Sequence, residues 1–338
     1  MLEKLKRGRR KYGLSRYLSR EMNHAIDKWL SRSSKQSLVK LFELLGVRGK
    51  TVCVHASLSR LGYIEGGADT VIDALIESVG PDGCIVMPAF SLRSTMKQYI
   101  DQGEVFDVHN TPSNVGTIAE VFRCREGVLR SLHPTNSLTA LGVGAAELLR
   151  GHEDSLTPYG FATPYGKLAE RDDACILMLN THVHSLLHHI QERVDFPNLF
   201  LAEQAEVRFI DANGSKRTMT TKIMRPRLPY FVAIPSVAGE EPDWAILHDF
   251  ALMFPSHRET VVRQLGYRFD GFKSLYSRRR RLIKDGILTT QSVGRGEIGL
   301  LKAAQFVRAV QPDFEESIER FRRYYSLEYL TERKLTYG

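Results

Sequence analysis

One short stretch of this sequence concentrates polar side chains of the kinds that bind and activate ligands. The eight residues from Arg130 to Ser137 carry an arginine, two serines, a histidine, a threonine and an asparagine around Pro134. Pro134 fixes its own φ and restricts the residue before it, so His133 is held extended. Because the polar groups on either side can then converge on a cleft, we favour a binding site over an ordinary polar loop. The candidate residues are Arg130, Ser131, His133, Thr135 and Ser137.

A second group with chemical potential is the pair His189 and Glu192. The surrounding segment can be helical from about His184, and residues three apart share a helix face, so the carboxylate can orient or polarise the imidazole. A neighbouring carboxylate raises the pKa of a histidine and favours one tautomer, as a general base requires. We therefore predict that His189 is a base assisted by Glu192. His188 is the rival base, and a plain surface pair is the alternative.

The histidines near this pair also raise the possibility of a metal site. His182 and His184 stand two apart just after an apolar run, with His188 and His189 close by in sequence. Such spacing can begin a zinc site. No remote Asp or Glu motif completes it, so we expect no metal.

Four cysteines offer a weaker candidate for nucleophilic chemistry. Cys53, Cys84 and Cys175 lie in apolar runs, Cys124 lies in a basic segment, and no CxxC pair occurs. This pattern argues against a zinc ribbon or a disulfide framework. We expect the first three to be small buried side chains, with an acyl-cysteine as the less favoured alternative.

The elements that must position these residues follow a strand, helix, strand pattern. Residues 51–55 and 84–88 are apolar runs typical of buried strands, and residues 68–79 repeat apolar side chains at helical spacing between them. Such a unit is normally right-handed with parallel strands. Residues 174–179 predict a third strand. Because ligands bind beyond the carboxyl ends of strands in open α/β sheets, Ser57 and Ser59 become candidates for ligand contacts; helix capping is their alternative role.

The remaining sequence predicts mainly helices around this sheet. Residues 117–125 and 164–171 are helix candidates, and residues 201–235 predict a hairpin around Gly214. From residue 246 onward the pattern is mostly helical, ending in an amphipathic segment at 315–330. We divide the chain into a basic helical extension (1–36), a core (37–245) and a C-terminal region packing on that core (246–338).

Composition restricts the class of protein. Of 338 residues, 43% are hydrophobic and 25% charged, so a folded globular protein is expected. No apolar run reaches the roughly 20 residues of a membrane span, and no secretory signal begins the chain, so we expect a cytoplasmic protein.

The formal net charge is +8, with basic clusters at Lys4–Lys11 and Arg278–Arg281. A solvated helix face, nucleic acid, an anionic membrane surface and a phosphorylated ligand all fit such charge. Because no nucleic-acid motif is present, we do not expect nucleic acid as a partner.

Taken in order, the motifs resemble the aminoglycoside N3-acetyltransferase (antibiotic acetyltransferase) family. The resemblance runs from about Lys50 to Asn198, with a fainter return at residues 293–301. The blocks that carry it are residues 54–62, 66–75, 80–88, 111–113, Gly116, 120–123, 127–135, 164–168 and His189 with Glu192.

The resemblance implies an acyl-CoA-dependent N-acyltransferase with a mixed α/β sheet flanked by helices, distinct from the GNAT fold. It implies that Ser57, Leu58 and Ser59, together with the block from Arg130 to Ser137, line the site for acetyl-CoA or another acyl-CoA. It implies that His189 and Glu192 act on the acceptor amine, by direct transfer in a ternary complex. Backbone N–H groups with a hydroxyl such as Ser57 or Thr135 would hold the oxyanion.

Two departures from the family pattern concern the acceptor. Asn136 replaces the second histidine of the usual His-Pro-Thr-His-Ser, and the approach to His189 reads Ser185-Leu-Leu-His188. With the excess of basic residues, they favour an amino sugar carried on a nucleotide, for surface polysaccharide. The alternative acceptor is an aminoglycoside, with antibiotic resistance as the role; a metal-dependent hydrolase ranks lower. The apolar C-terminal helices could form a homodimer contact.

Overall fold

A seven-stranded mixed sheet forms the centre of the protein, in the order β11-β12-β8-β2-β4-β7-β6. The computed structural model describes residues 32–58, 61–181, 184–196, 199–224, 279–293 and 296–324, with side chains as far as Glu315 in the last range. The strands of the main sheet are β2 (Thr51–Ala56), β4 (Cys84–Pro88), β6 (Leu129–Arg130), β7 (Leu138–Gly142), β8 (Ala174–Leu179), β11 (Leu288–Val293) and β12 (Gly296–Lys302).

The three predicted strands are confirmed and lie side by side at the middle of this sheet. Strand β2 pairs in parallel with β8 on one side and with β4 on the other, in registers that place Thr51 opposite both Ala174 and Cys84. Antiparallel strands flank these three on both sides. The sheet is therefore mixed, as expected.

Residues 279–284 are helical, and eight further α-helices accompany the strands in the described ranges. Their bounds are α1 (Lys35–Leu45), α2 (Gly67–Val79), α3 (Met96–Asp101), α4 (Thr117–Arg123), α5 (Ala145–Leu149), α6 (Pro164–Glu170), α7 (Leu186–Arg193) and α8 (Ala303–Tyr324). The helices predicted at 68–79, 117–125 and 164–171 are confirmed within two residues of their ends.

Two apolar cores cover the two faces of the sheet, because side chains alternate along each strand. On β2, Val52 and Val54 enter the core that contains α1, α2 and α4, while Cys53 enters the core that contains α5, α6, α7 and α8. Strands buried on both faces need continuous apolar runs. The sequences at 51–54, 84–87 and 174–179 meet this need.

The C-terminal region adds two strands that the sequence did not predict. Its described part is mostly helical, as expected, at residues 279–284 and 303–324, but it also supplies β11 and β12. Strand β12 pairs antiparallel with β8, and β11 pairs antiparallel with β12, so the two extend the main sheet. Short apolar runs such as residues 298–301 do not distinguish strand from helix by periodicity. Helix α8 does pack on the core through Phe306, Val310 and Phe314. The division of the chain into three regions stays a prediction, since residues 1–31 and 225–278 lie outside the described ranges.

Smaller sheets complete the fold. The predicted hairpin is confirmed as β9 (Phe200–Ile210) and β10 (Lys216–Met224), and β9 also pairs with β5 (Phe106–Asp107). Strand β1 (Arg32–Ser33) pairs with β3 (Tyr63–Ile64). No helix in the described ranges is both long enough and apolar enough to cross a bilayer.

The loop at residues 155–163 is held against α6 by a close backbone approach. Thr163 caps the helix by accepting a hydrogen bond from the Gly166 N–H group, and Pro164 occupies the first turn, where its missing N–H costs nothing. A Cβ at Gly166 would lie only 2.3 Å from the Phe161 carbonyl oxygen and 2.6 Å from that of Gly160. The loop can take this position only because residue 166 has no side chain.

Substituting Gly166→Ala should therefore destabilise the protein and displace the loop. We expect a loss of about 2 kcal/mol or more in the free energy of unfolding, because backbone carbonyls must move. Gly214→Ala in the β9–β10 turn is the control: its φ is +78° with open space around it, so only about 1 kcal/mol of backbone strain is expected. Urea unfolding of both variants measures the difference; equal losses would contradict the steric argument.

Candidate active site

A cleft of about 600 Å³ opens beside the loop at 155–163, a volume within the range of small-molecule sites. Helix α7, the segment that follows it and strand β10 form its other walls. Its lining residues are Ser155, Leu156, Thr157, Gly160, Phe161, Ala162, His189, Glu192, Arg193, Asp195, Phe196, Leu199, Phe200 and Lys222. Both residues predicted to be catalytic are among them.

The ring of His189 is fully buried and fixed in one tautomer. Its Nδ1 lies 2.7 Å from the carbonyl oxygen of Tyr159, which can only accept, so Nδ1 carries the hydrogen. Nε2 consequently bears the lone pair, and it has no hydrogen-bond partner among the described residues. Burial lowers the pKa of His189, against the opposing effect of the Tyr159 hydrogen bond. A neutral imidazole with a free lone pair beside a cleft can accept a proton.

The carboxylate of Glu192 binds the same residue, Tyr159, that orients the His189 ring. It accepts a hydrogen bond from the Tyr159 N–H group at 3.0 Å. Burial raises the pKa of Glu192 to about 7, although hydrogen bonds from Thr157 and Tyr159 and the charge of Lys222 favour the ionised form. This carboxyl group therefore changes charge near neutral pH.

His189 and Glu192 are connected through a third residue rather than by the direct contact that their spacing predicts. Both side chains lie together at the cleft, but no hydrogen bond joins them within the described structure; each bonds the backbone of Tyr159. A spacing of three places two residues on one helix face, yet here both side chains turn to the backbone of a facing loop. The pair is thus linked through Tyr159 rather than directly.

The rival base, His188, points elsewhere. Its Nδ1 lies 2.9 Å from Gln191 Oε1, and its ring stacks on Tyr159 with centroids 4.9 Å apart. It does not line the cleft. The geometry therefore favours His189 as the base.

Aromatic and charged side chains shape the rest of the cleft. Phe161 packs edge-on against the His189 ring at 5.5 Å and remains 60% exposed, so it offers an apolar face beside the imidazole. Arg193 lies over Phe161 and forms an ion pair with Glu170. The Lys222 ammonium lies 5.6 Å from the centre of the Phe200 ring, and no carboxylate of the described residues is within ion-pair distance of it.

The block from Arg130 to Ser137 does not line the cleft, and most of its residues are buried. The Arg130 guanidinium uses all its donors inside the protein: it bonds Ser137 Oγ, Ser91 Oγ and the carbonyl oxygens of Ala89, Val108 and Thr111. Burial lowers the pKa of Arg130 to about 10. A phosphate could reach this guanidinium only in exchange for those bonds, and the assignment of Arg130 to coenzyme A binding stays a prediction.

Other residues of the same block support the loop that carries Tyr159. Ser131 bonds His152 Nδ1 at 2.9 Å, and His152 Nε2 bonds the Pro158 carbonyl at 3.2 Å. The Asn136 amide donates to the Tyr159 hydroxyl at 2.8 Å. The assignment of Ser131, His133, Thr135 and Ser137 to coenzyme A binding stays a prediction; all four are buried.

The loop after β2 is described only in part. The Ser57 N–H group donates to the Leu179 carbonyl at 3.0 Å, and Leu58 packs against the core that contains α2. Ser59 lies outside the described residues. Their role in binding coenzyme A therefore also stays a prediction.

Tyr159 and Phe161 were missed by sequence reasoning. Tyr159 acts through its backbone, which every residue type supplies, so no side-chain signal marks it. The aromatic pair around Gly160, just before the Pro164 helix start, was the available signal for a loop at a site.

Alternative chemistries find little support in the described residues. No group of three or more His, Cys, Asp or Glu side chains among them could hold a metal, and His182 lies outside them. Cys53, Cys84 and Cys175 are buried, and burial raises the pKa of the Cys84 thiol to about 11 and that of Cys175 to about 12. Such thiols stay protonated and are poor nucleophiles.

The basic cluster at 278–281 contributes ion pairs within the fold. Arg279 bonds both oxygens of Glu297 at 2.6 and 2.7 Å, and Arg281 bonds Asp313 at 2.8 Å. Arg278 and the cluster at Lys4–Lys11 lie outside the described residues. The described arginines thus join residues 279–284 to β12 and α8.

Solved structures share this fold. AAC-IIIb in a binary complex with CoASH is 24% identical, with a TM-score of 0.59 over 86% of this chain and 97% of that one. AAC-VIa bound to sisomicin is 24% identical, with a TM-score of 0.59 over 88% of this chain and 100% of that one. These likenesses confirm the predicted α/β fold.

Sequence comparisons agree with the fold. The prophage-derived aminoglycoside N(3')-acetyltransferase-like protein YokD of Bacillus subtilis is 33% identical over 176 residues, which are 47% of this chain and 64% of that protein. Aminoglycoside N(3)-acetyltransferase VIII of Streptomyces fradiae is 32% identical over 177 residues, 47% of this chain and 61% of that protein. These alignments span less than two thirds of each relative.

The wider match comes from the family model described as aminoglycoside 3-N-acetyltransferase, which covers residues 53–315. That range contains six strands of the main sheet and all but the first two residues of β2, together with the cleft and the residues His189 and Glu192 at its wall. The chain belongs to the aminoglycoside 3-N-acetyltransferase family.

Proposed function

We propose that the protein transfers an acetyl group from acetyl-CoA to an amine of an aminoglycoside, with His189 as the general base. The observation that carries the proposal is the buried, unpartnered Nε2 of His189, a residue of the cleft wall, in the tautomer that can accept a proton. The names of the relatives and the CoASH bound to AAC-IIIb support the reaction class.

The reaction assigns a defined step to this base. The acceptor nitrogen attacks the thioester carbon while Nε2 of His189 removes a proton from that nitrogen. The C–S bond then breaks, the amide forms, and the thiolate of coenzyme A takes a proton. General-base assistance of this kind contributes roughly 10²–10⁴ in rate. The Tyr159 carbonyl, which accepts the Nδ1 hydrogen, stabilises the imidazolium as it forms.

The choice of acceptor reverses the expectation drawn from the basic composition. The relatives found are aminoglycoside acetyltransferases by name, and no comparison supports an amino sugar on a nucleotide or a role in polysaccharide synthesis. The +8 charge favoured an anionic acceptor, but the charges near the cleft are more balanced. Glu192 and Asp195 line it, and Arg193 is neutralised by Glu170. A polycationic acceptor is therefore compatible with these walls.

Lys222 is the one feature of the described cleft that favours an anionic acceptor. Its ammonium has no carboxylate partner among the described residues and stands at the wall. The charge of Lys222 makes the nucleotide-linked amino sugar the second candidate acceptor. Substituting Lys222 distinguishes this acceptor from an aminoglycoside.

Removing the proposed base should abolish most of the activity. In His189→Gln we expect kcat to fall by roughly 10²–10⁴ while the affinity for acetyl-CoA changes little, because only proton transfer is lost. Thiol release with an aminoglycoside acceptor measures the rate, and calorimetric titration with coenzyme A measures binding. His109→Gln is the matched control, because His109 is an exposed histidine that does not line the cleft, and we expect it to lose less than about 2-fold. Comparable losses in the two variants would refute the assignment of His189.

Glu192 should make the stability depend on pH in a defined direction. Its pKa rises from 4.5 to about 7 on folding, so between these values the folded protein binds a proton that the unfolded chain releases. The free energy of unfolding therefore falls as the pH rises through this window, by about 3 kcal/mol, and the loss is complete above it. Glu192→Gln keeps the acceptor for the Tyr159 N–H group but cannot ionise.

We expect Glu192→Gln to lose this pH-dependent contribution, so that the variant gains stability relative to wild type between about pH 5 and about pH 8. Urea unfolding at both values measures the change. A stability difference between the two proteins that is the same at both pH values would show that Glu192 titrates at its ordinary pKa.

The charge of residue 222 should separate the two acceptors. Lys222→Glu should lower KM for a polycationic aminoglycoside by roughly 3- to 10-fold and raise KM for a nucleotide-linked amino sugar, because Coulomb effects at a partly screened site have this size. Lys216→Glu is the control, with the same charge change at the far, exposed end of β10. Initial rates at low and high salt measure both. A rise in aminoglycoside KM in Lys222→Glu would favour the anionic acceptor.

A further inference from the structure

Tyr159 has an unusual position, because both sides of its backbone hold the side chains proposed to act in transfer. Its N–H group donates to Glu192 at 3.0 Å and its carbonyl accepts from His189 at 2.7 Å. A shift or rotation of this one residue would alter the tautomer of the imidazole and the solvation of the carboxylate together. The position of Tyr159 therefore needs an explanation of its own.

The side chain of Tyr159 is what anchors the residue. It is 2% exposed, its ring packs on Tyr165 at 4.7 Å and on His188 at 4.9 Å, and its hydroxyl accepts a hydrogen bond from Asn136 Nδ2 at 2.8 Å. Ring packing restrains the plane of the ring. The hydrogen bond fixes how far the side chain reaches into the core.

Asn136 is itself held so that its donor faces Tyr159. Its Oδ1 accepts from the Thr135 hydroxyl at 2.7 Å, which leaves Nδ2 as the group directed at Tyr159, and its backbone N–H donates to His133 Nδ1 at 3.3 Å. The residue is 4% exposed. An amide does not titrate, so this link keeps the same charge and polarity across the pH range in which Glu192 ionises.

We propose that Asn136 and Tyr159 are positioning residues for the transfer reaction: the Asn136 amide fixes Tyr159, and the Tyr159 peptide groups fix the tautomer of His189 and the environment of Glu192. This inference rests on the proposed function for its kinetic consequence. The geometric part, the control of the His189 tautomer, stands independently of any acceptor.

Two variants break the link at its two ends. Tyr159→Phe removes the hydroxyl and keeps the ring, and Asn136→Leu removes the amide while keeping the branching and the number of side-chain heavy atoms. Tyr165→Phe is the matched control: it deletes a hydroxyl from the neighbouring stacked ring, and that hydroxyl has no hydrogen-bond partner among the described residues. Asn136→Asp is the rescue variant, since a carboxyl oxygen can accept from or donate to the Tyr159 hydroxyl.

Imidazole nitrogen NMR of the full chain reports the tautomer directly, with the His189 signal identified by its loss in His189→Gln. We expect the Nδ1–H form in wild type and Tyr165→Phe, and a mixture of tautomers in Tyr159→Phe and Asn136→Leu. With an aminoglycoside, kcat should fall by roughly 10-fold or more in these two variants while KM for acetyl-CoA stays within about twofold. Asn136→Asp should recover most of the rate.

The outcomes separate the two proposals. An unchanged His189 tautomer in both variants, or a loss in Tyr165→Phe equal to that in Tyr159→Phe, would overturn the positioning role. If wild type acetylates no acceptor, the proposed function fails while the NMR comparison still decides the positioning role. If Asn136→Leu does not fold, Tyr159→Phe with its Tyr165→Phe control carries the test alone.

Discussion

The two backbone groups of Tyr159 partly offset the cost of burying His189 and Glu192, two of the ionisable residues that line the cleft. An unpaired buried carboxylate or imidazolium is costly, because water no longer solvates it. The Tyr159 N–H group bonds the carboxylate and the Tyr159 carbonyl bonds the imidazole. Neither bond needs a counter-charge, so the cleft keeps its polarity without an internal salt bridge. Since backbone groups have no freedom apart from the chain, the site is only as well placed as the loop.

The fold places that loop by layers of buried hydrogen bonds. The half-buried Arg130 bonds carbonyl and hydroxyl groups from the segments at 89–91 and 108–111. The Phe106 ring covers one face of its guanidinium. Ser137 adds a bond to the Ala89 carbonyl. The same block also bonds the loop at 155–163: Ser131 reaches the Pro158 carbonyl through His152, and Asn136 bonds the Tyr159 hydroxyl directly. A polar network of this kind favours one arrangement, because any displacement leaves a buried donor or acceptor without a partner.

The parts of the protein that could be predicted from sequence are those whose burial imposes a pattern on neighbouring residues. Continuous apolar runs identified the three central strands, because strands buried on both faces require them. Helical spacing placed His189 and Glu192 on one face, and both line the cleft. Strands β11 and β12 were missed, since β12 joins the sheet by pairing with β8, more than a hundred residues earlier, and β11 joins it only through β12. The Arg130 to Ser137 block shows a further limit: a dense group of polar side chains has the same sequence pattern whether it binds a ligand or supports a loop.

The protonation states of the buried histidines give this site a particular dependence on pH. Burial lowers the pKa of His133, His152 and His189 alike, so all three are neutral when the protein is near neutral pH. The imidazole proposed as the base is therefore already unprotonated before it meets an amine. The group whose charge changes in that range is Glu192, which shares Tyr159 with the base. The base and the titrating carboxyl group are thus held by the two backbone groups of one residue, with no hydrogen bond between them in the described structure.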